Sequence, residues 1–230
     1  MDYQQSWQNA QSGAISRLQF VRQVYLWLMA GFGVALVGAV GAFVTVPFWA
    51  PLLQSGGRVF MFALIIGQFA ALWIAGRTAQ TKPLNIATFG LATGVSGFIA
   101  GMVSLMVASQ SGMGVVLSAL GLTALAFLTL TVVAFVSKKD FSFLRSFVVV
   151  GLVIGIGGSF IAFFFNLPVF SLVISGVIVL ASSAKILWDT SAMLRTADLS
   201  NPVGFALSLF VNLYNIFISL LNILSGGRRR

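Results

Sequence analysis

The segment SLFVNLYNIFISLLNIL, from Ser208 to Leu224, is apolar enough for a bilayer interior but carries a line of polar side chains. These recur at steps of four, three, four and three, at Ser208, Asn212, Asn215, Ser219 and Asn222. Such spacing places all five on one face of a helix. Because polar side chains are costly against hydrocarbon, this polar seam is expected to face protein or water. A seam that runs the length of the segment predicts a helix buried among other helices.

The composition extends this interpretation to the whole chain. Of its 230 residues, 59 % are hydrophobic and 7 % are charged, whereas a soluble domain carries roughly 25 % charged residues. Apolar stretches of about 20 residues recur, and each is long enough to cross a bilayer. The sequence therefore predicts an all-α integral membrane protein with seven transmembrane helices, the last of them central in the bundle. The predicted spans are 23–46, 58–76, 84–107, 113–136, 144–165, 168–189 and 203–224.

The ends of the chain differ from its middle. Residues 1–21 are polar and are expected to form a cytosolic tail, since a secretory signal would begin basic and soon turn apolar. Residues 22–226 are expected to form the seven-helix transmembrane domain. Residues 227–230 form a short basic C-terminal tail that ends in three arginines.

The basic residues predict an orientation, because lysine and arginine collect on the cytosolic side of a membrane protein. With the N-terminus inside, nine of them lie in the tail and on the inner side, and four lie outside. The nine are Arg17, Arg22, Arg77, Lys82, Lys138, Lys139, Arg145, Lys185 and Arg195. This favours a cytosolic N-terminus and an external C-terminus, although the three terminal arginines argue against the second assignment.

Several classes of function are excluded or made improbable by composition. The net charge of +9 comes from basic residues at the ends of spans rather than from a patch, which argues against a nucleic-acid partner. The chain has no Cys, no His and no Glu, which removes disulfides, thiol catalysis and histidine bases. Ser182 and Lys185 are the one conceivable nucleophile and base, and their spacing alone is a weak signal. We therefore expect no enzyme, no cofactor and no metal site.

Two other spans carry small residues at the same spacing as the polar seam. The third has Gly90, Gly94, Gly97, Gly101 and Ser104, and the fifth has Gly151, Gly155, Gly158 and Ala162. Small residues at this spacing let helix backbones approach closely within lipid. The pattern predicts a tightly packed bundle.

The sixth span carries the charges of greatest interest. Lys185 and Asp189 are four residues apart, so they can pair on one helix face. A charge at membrane depth indicates a functional site. However, Asp189 lies about 31 Å along the helix from Pro168 at 1.5 Å per residue, close to the bilayer surface, where Lys185 could extend into headgroup water. Both interpretations stay open, as do two for the seam: hydrogen bonds between helices, or a path for water or ions.

The candidate gate or polar core follows from these two spans. Its members are Asp189, Asn212, Lys185, Asn215, Ser182 and Ser208.

Three stretches resemble the Bax inhibitor / YccA family of multi-span membrane proteins. They are SKKDFSFL at 137–144, SSAKILWDTSAML at 182–194, and the opening segment at 208–224. The last is most similar to the YccA branch of bacterial inner-membrane proteins. The resemblance implies seven helices in the inner membrane, with the last surrounded by the others.

The resemblance also implies a function. Members of the YccA branch are partners and poor substrates of an FtsH-type AAA membrane protease, and they modulate membrane-protein quality control. Besides the lipid bilayer, such a protease is the expected partner here, and the tail at 1–21 would be the segment that it grips.

An alternative comes from channel-like members, in which two aspartates form a pH-sensitive pair that gates a calcium leak. Asp189 matches one aspartate, but Asn212 stands at the position of the other. One carboxylate cannot share a proton with an amide as two carboxylates do, so the gate would be altered. Calcium or protons would be further partners under this alternative, and Asn212 is expected to hydrogen-bond Asp189.

Overall fold

A computed structural model describes residues 3–137, 139–195 and 199–226, with side chains from Ser16 onward. This part of the chain forms seven α-helices and one 3₁₀ turn, Ser142–Leu144, and contains no strand. The helices are α1 (Tyr3–Val44), α2 (Val46–Thr78), α3 (Leu84–Ser111), α4 (Met113–Val136), α5 (Arg145–Phe165), α6 (Pro168–Arg195) and α7 (Pro202–Gly226). All seven are long and apolar enough to cross a membrane, which confirms the predicted class. The predicted basic tail at 227–230 and Lys138 lie outside the described residues.

Two helices begin earlier than the predicted spans. Helix α1 starts at Tyr3, twenty residues before the predicted span 23–46. Helix α2 starts at Val46, twelve residues before the predicted span 58–76, so the predicted start of that helix was wrong. Pro47 lies in the first turn of α2, where a missing N–H costs no helical hydrogen bond. The helix then bends at Gly56, whose φ of −156° and ψ of 37° are not helical.

Helices α1 and α3 run side by side at unusually short range. A Cβ added to Gly97 would lie 2.0 Å from the carbonyl oxygen of Ala35, and one added to Gly38 would lie 2.2 Å from that of Gly94. Only glycine leaves room for backbones this close. On α5, glycines 151, 155 and 158 face side chains of α6 in the same way. The close packing that the small-residue spacing predicted is present in both helices.

Helix α7 packs against α1, α2, α3, α4 and α6. Its apolar side chains include Leu209 and Ile216, both fully buried in the largest hydrophobic cluster. These contacts favour the central position predicted for the last helix, which stays a prediction.

Hydrogen bonds join α6 to α1 and to the link after α4 at one end of the bundle. Arg17 donates to the carbonyl oxygen of Met193 at 3.3 Å, and the Phe141 amide donates to Ser191 Oγ at 3.3 Å. Arg195 donates to the carbonyl oxygen of Lys139. We call this the basic end, because it holds Arg17, Arg77, Lys82, Lys139, Arg145 and Arg195. Its cytosolic orientation stays a prediction.

Candidate functional site

Lys185 and Asp189 form an ion pair one turn apart on α6, and no other ion pair occurs in the described residues. The Asp189 side chain is 6 % exposed and that of Lys185 is 21 % exposed, so the carboxylate is the more deeply buried partner. Lys185 Nζ also lies 4.6 Å from the ring centroid of Trp188. The ammonium group therefore has a carboxylate and an aromatic face as neighbours, both of which compensate its charge.

Ser208 connects this pair to α7. Its hydroxyl donates to the second carboxylate oxygen, Asp189 Oδ2, at 2.6 Å. Asn212 was expected to hydrogen-bond Asp189, but its Nδ2 donates instead to the carbonyl oxygen of Ser208 at 2.7 Å. Asn212 lies four residues, or about 6 Å of helix rise, beyond Ser208. Ser208 is therefore the α7 residue at the level of the carboxylate.

The remaining two predicted residues lie apart from this centre. Ser182 is fully buried, and its hydroxyl has no hydrogen-bond partner among the described residues. Asn215 is partly buried and lines a cavity instead of the ion pair. The structure thus brings together Lys185, Asp189 and Ser208, with Asn212 one turn away.

A second polar cluster joins α6 and α7 away from the basic end. Asn222 Nδ2 donates to Ser171 Oγ at 2.8 Å and to Ser175 Oγ at 2.9 Å. Asn222 belongs to the polar seam of α7, and its bonds to these two serines of α6 were not predicted. At both clusters the seam makes hydrogen bonds between helices.

Sequence reasoning missed a third cluster, centred on Gln68 of α2. Tyr214 donates its hydroxyl hydrogen to Gln68 Oε1 at 3.2 Å, and Gln68 Nε2 donates to Ser96 Oγ at 3.3 Å. The buried amide therefore links α7, α2 and α3. A single glutamine within the predicted span 58–76 was the available signal, since a buried amide in lipid requires partners.

A cavity of about 810 Å³ lies between α2 and α5, with α7 as a further wall. We call it the α2–α5 groove. Its polar lining comes mainly from Gln68, Lys185, Ser208, Asn212, Tyr214, Asn215 and Ser219, and the rest is largely apolar. Asp189 does not line it.

The carboxylate of Asp189 has little capacity for a metal ion. Lys185 engages one of its oxygens and Ser208 engages the other. The described residues contain no group of three or more His, Cys, Asp or Glu side chains that could hold a metal. Calcium takes six to eight oxygen ligands, several of them usually carboxylates. The chemistry that this arrangement supports directly is the attachment of α6 to α7.

Fold and site together define a membrane protein whose described residues form seven long helices. Hydrogen bonds join the sixth helix to the seventh, one of them made by the buried carboxylate of the ion pair on α6. The family described as "Inhibitor of apoptosis-promoting Bax1" matches residues 17–230. The chain belongs to this Bax inhibitor family, which confirms the resemblance seen in the sequence.

Relatives of the chain come from several bacteria. It is 35 % identical over 179 residues to "Modulator of FtsH protease YccA" of Escherichia coli K12, covering 77 % of this chain and 79 % of the relative. The counterpart in another E. coli strain is named "Inner membrane protein YccA". An uncharacterized protein of Campylobacter jejuni is 32 % identical over 234 residues, covering 100 % of this chain and 97 % of the relative. None of these names describes an enzyme.

Proposed function

We propose that this protein is a non-enzymatic modulator of an FtsH-type AAA membrane protease, acting as a partner and poor substrate in membrane-protein quality control. The observation that carries the proposal is its 35 % identity, over 77 % of the chain, to a relative named as a modulator of that protease. We place it in the bacterial inner membrane, with a cytosolic N-terminus and an external C-terminus. The inner-membrane relative and the clustering of basic residues support this placement.

The packing of the bundle supports the role of poor substrate. A protease that extracts helices from the membrane must separate them from their neighbours. In this protein it would have to part α1 from α3, whose backbones nearly touch at Gly97 and Ala35. It would also have to break the hydrogen bonds of Asp189 and Asn222 between α6 and α7. A chain that resists extraction would occupy the protease.

The N-terminal tail is the segment that we expect the protease to grip. The structure limits how much of it can be removed in a test. Phe20 is 3 % exposed within the main hydrophobic cluster, and Arg17 donates to the carbonyl oxygen of Met193. A deletion of residues 1–21 would remove these contacts, whereas a deletion of residues 1–15 leaves them in place.

Co-purification with a tagged FtsH-type protease tests the proposal. We expect the full-length protein to be retained and the variant lacking residues 1–15 to be lost, with equal thermal stability of the two. Full-length protein should also slow degradation of a second membrane substrate. Failure of the full-length protein to bind or to slow the protease would contradict the proposed function.

The alternative function is a pH-sensitive calcium leak with an altered carboxylate gate. The burial of Asp189 beside Ser208, together with a cavity that reaches Lys185, favours this second candidate. Calcium flux into proteoliposomes, at acidic and mildly alkaline pH, tests it with Asp189→Asn as the matched variant. Flux that depends on pH and is lost in the variant would support the channel, whereas absence of flux in every condition would exclude it.

A further inference from the structure

The α2–α5 groove exists because two neighbouring helices do not pack backbone to backbone. Within the described residues, α2 and α5 meet only through side chains. Phe62 and Phe69 of α2 contact Phe160 of α5, with ring centroids 6.4 and 6.3 Å apart. Side chains of the lining also reach the outer surface, since Phe69 is 43 % exposed and Trp73 is 63 % exposed. The groove therefore opens sideways, toward what would be lipid.

The groove is long. Its lining extends from Met61 to Gly76 on α2 and from Gly204 to Ser219 on α7. Fifteen residue steps of 1.5 Å correspond to a length of about 22 Å, which is most of the roughly 30 Å thickness of a hydrocarbon core. This length and the largely apolar lining suit an extended acyl chain.

Charge is distributed unevenly along the groove. Among the described residues of the lining, Lys185 is the only charged one, and its ammonium has three N–H donors, of which Asp189 uses one. Toward the basic end, the lining residue Gly76 is followed by Arg77, which is exposed and has no ion-pair partner among the described residues. Arg77 Cζ lies 5.1 Å from the ring centroid of Trp73, another lining residue. A stacked tryptophan and arginine at the end of a span are typical of the headgroup level.

We propose that the α2–α5 groove binds an anionic phospholipid, with one acyl chain between α2 and α5 and its phosphate at the basic end. Arg77 and Lys185 are the groups that would recognise the anionic headgroup, because guanidinium and ammonium donors form charge-assisted hydrogen bonds with phosphate oxygens. The apolar walls of the groove would replace the contacts that the acyl chain makes in the bilayer. This inference does not depend on the protease, and it gives the protein a lipid ligand.

Native mass spectrometry of the delipidated full-length protein tests this site. The probes are dioleoyl phosphatidylglycerol, dioleoyl phosphatidylcholine and oleate, each added separately in mild detergent. We expect one phosphatidylglycerol molecule to be retained, with roughly fivefold weaker retention of phosphatidylcholine, as one basic side chain contributes to anionic lipid binding. Equal retention of the two phospholipids, or preferential retention of oleate, would overturn the proposal.

Two pairs of variants locate the lipid. Ser159→Trp fills the groove from α5, whereas Val153→Trp adds the same bulk to α5 outside the lining, at a position 66 % exposed. Arg77→Gln removes the headgroup contact, whereas Arg58→Gln removes an exposed arginine elsewhere on α2. We expect Ser159→Trp to abolish retention and Arg77→Gln to reduce the preference for phosphatidylglycerol. Retention unchanged by Ser159→Trp and Arg77→Gln, or lost equally in the two controls, would place the lipid elsewhere.

Discussion

At the scale of single residues, the ion pair on α6 is asymmetric. Asp189 is almost completely buried and has both oxygens engaged, while Lys185 is partly exposed at the α2–α5 groove. A charge left without its partner at membrane depth must be hydrated, displaced or neutralised. Lys185 has a long stem and an open side toward which its ammonium can move. Asp189 has neither a long stem nor an open side. An unpaired Asp189 therefore costs more stability than an unpaired Lys185.

This asymmetry predicts different costs for the two single substitutions. Lys185→Met leaves the buried carboxylate unpaired, and we expect it to lower the free energy of unfolding by about 3–5 kcal/mol. Asp189→Asn keeps a hydrogen-bonding group beside Ser208 and leaves the more exposed ammonium alone, so its cost should be smaller. Thermal unfolding in detergent measures both effects.

The double variant Lys185→Met with Asp189→Asn is the control, because it leaves no unpaired charge. We expect its melting temperature to lie above that of Lys185→Met. If the double variant is less stable than Lys185→Met, the unpaired carboxylate is not what destabilises Lys185→Met.

The polar seam provides a second prediction at this scale. Asn222 donates to two serine hydroxyls of α6, whereas Asn215 makes no hydrogen bond with another described residue. Asn222→Ala should lower stability by about 1 kcal/mol, since interhelical hydrogen bonds in membranes average about 0.6 and reach about 1.7 kcal/mol. Asn215→Ala should have little effect. Equal melting temperatures for the two variants would show that seam spacing, rather than the observed bonding, determines stability.

The sequence was sufficient to predict that the polar residues of the seam share one face of α7. It was not sufficient to predict which of them hydrogen-bond to other helices. Lys185 and Asp189 could be paired from spacing because both lie on one helix. The bond from Ser208 to Asp189 depends on the axial offset and rotation between α6 and α7. Those are set by the packing of the whole bundle, so Asn212 was an equally reasonable partner. Gln68 was missed because its partners lie on two other helices.

At the scale of helices, glycines that belong to the same spacing pattern in the sequence have different structural roles. Gly97 and Gly90 both belong to the small-residue spacing of α3. A Cβ on Gly97 would lie 2.0 Å from the Ala35 carbonyl oxygen, whereas one on Gly90 would meet nothing within 4 Å. The spacing therefore predicts that α3 has a close neighbour, but only the structure shows which glycines touch it.

Gly97→Ala should force α1 and α3 apart, because the clash is with backbone and no side chain can move to relieve it. We expect a loss of about 1–3 kcal/mol, as for overpacked cores. Gly90→Ala should be neutral or stabilise the protein by up to about 1 kcal/mol, since alanine favours the helix. Melting temperatures of the two purified variants test this difference. A neutral Gly97→Ala would mean that α1 and α3 are not held at this distance.

The start of α2 shows a limit of sequence patterns at the same scale. The predicted span began at residue 58, yet helix α2 already runs through Pro47 and Pro51. Proline near the first turn is compatible with a helix, and Ser55 donates its hydroxyl to the carbonyl oxygen of Pro51 at 3.1 Å. The direction changes at Gly56, just before the predicted span 58–76, and helix also precedes this bend.

At the scale of the whole molecule, the proposed function requires that the bundle be harder to extract than an ordinary substrate. The N-terminal tail would determine whether the protease engages, and the packing would determine how fast it proceeds. These two properties can be separated, because residues 1–15 are largely polar and precede the apolar part of α1. The α1–α3 interface, in contrast, lies within the spans.

This separation gives the last prediction. Gly97→Ala, with an intact tail but a weakened α1–α3 interface, should be bound by the FtsH-type protease and degraded several-fold faster than Gly90→Ala. A loss of about 1.4 kcal/mol raises the population of opened bundle about tenfold, and degradation follows that population when opening is fast relative to cleavage. Pulse–chase half-lives in cells, with and without the protease, measure the difference. Because Gly97→Ala leaves the tail unchanged, equal half-lives for the two variants would show that packing does not limit extraction, and the role of poor substrate would then have to come from the tail.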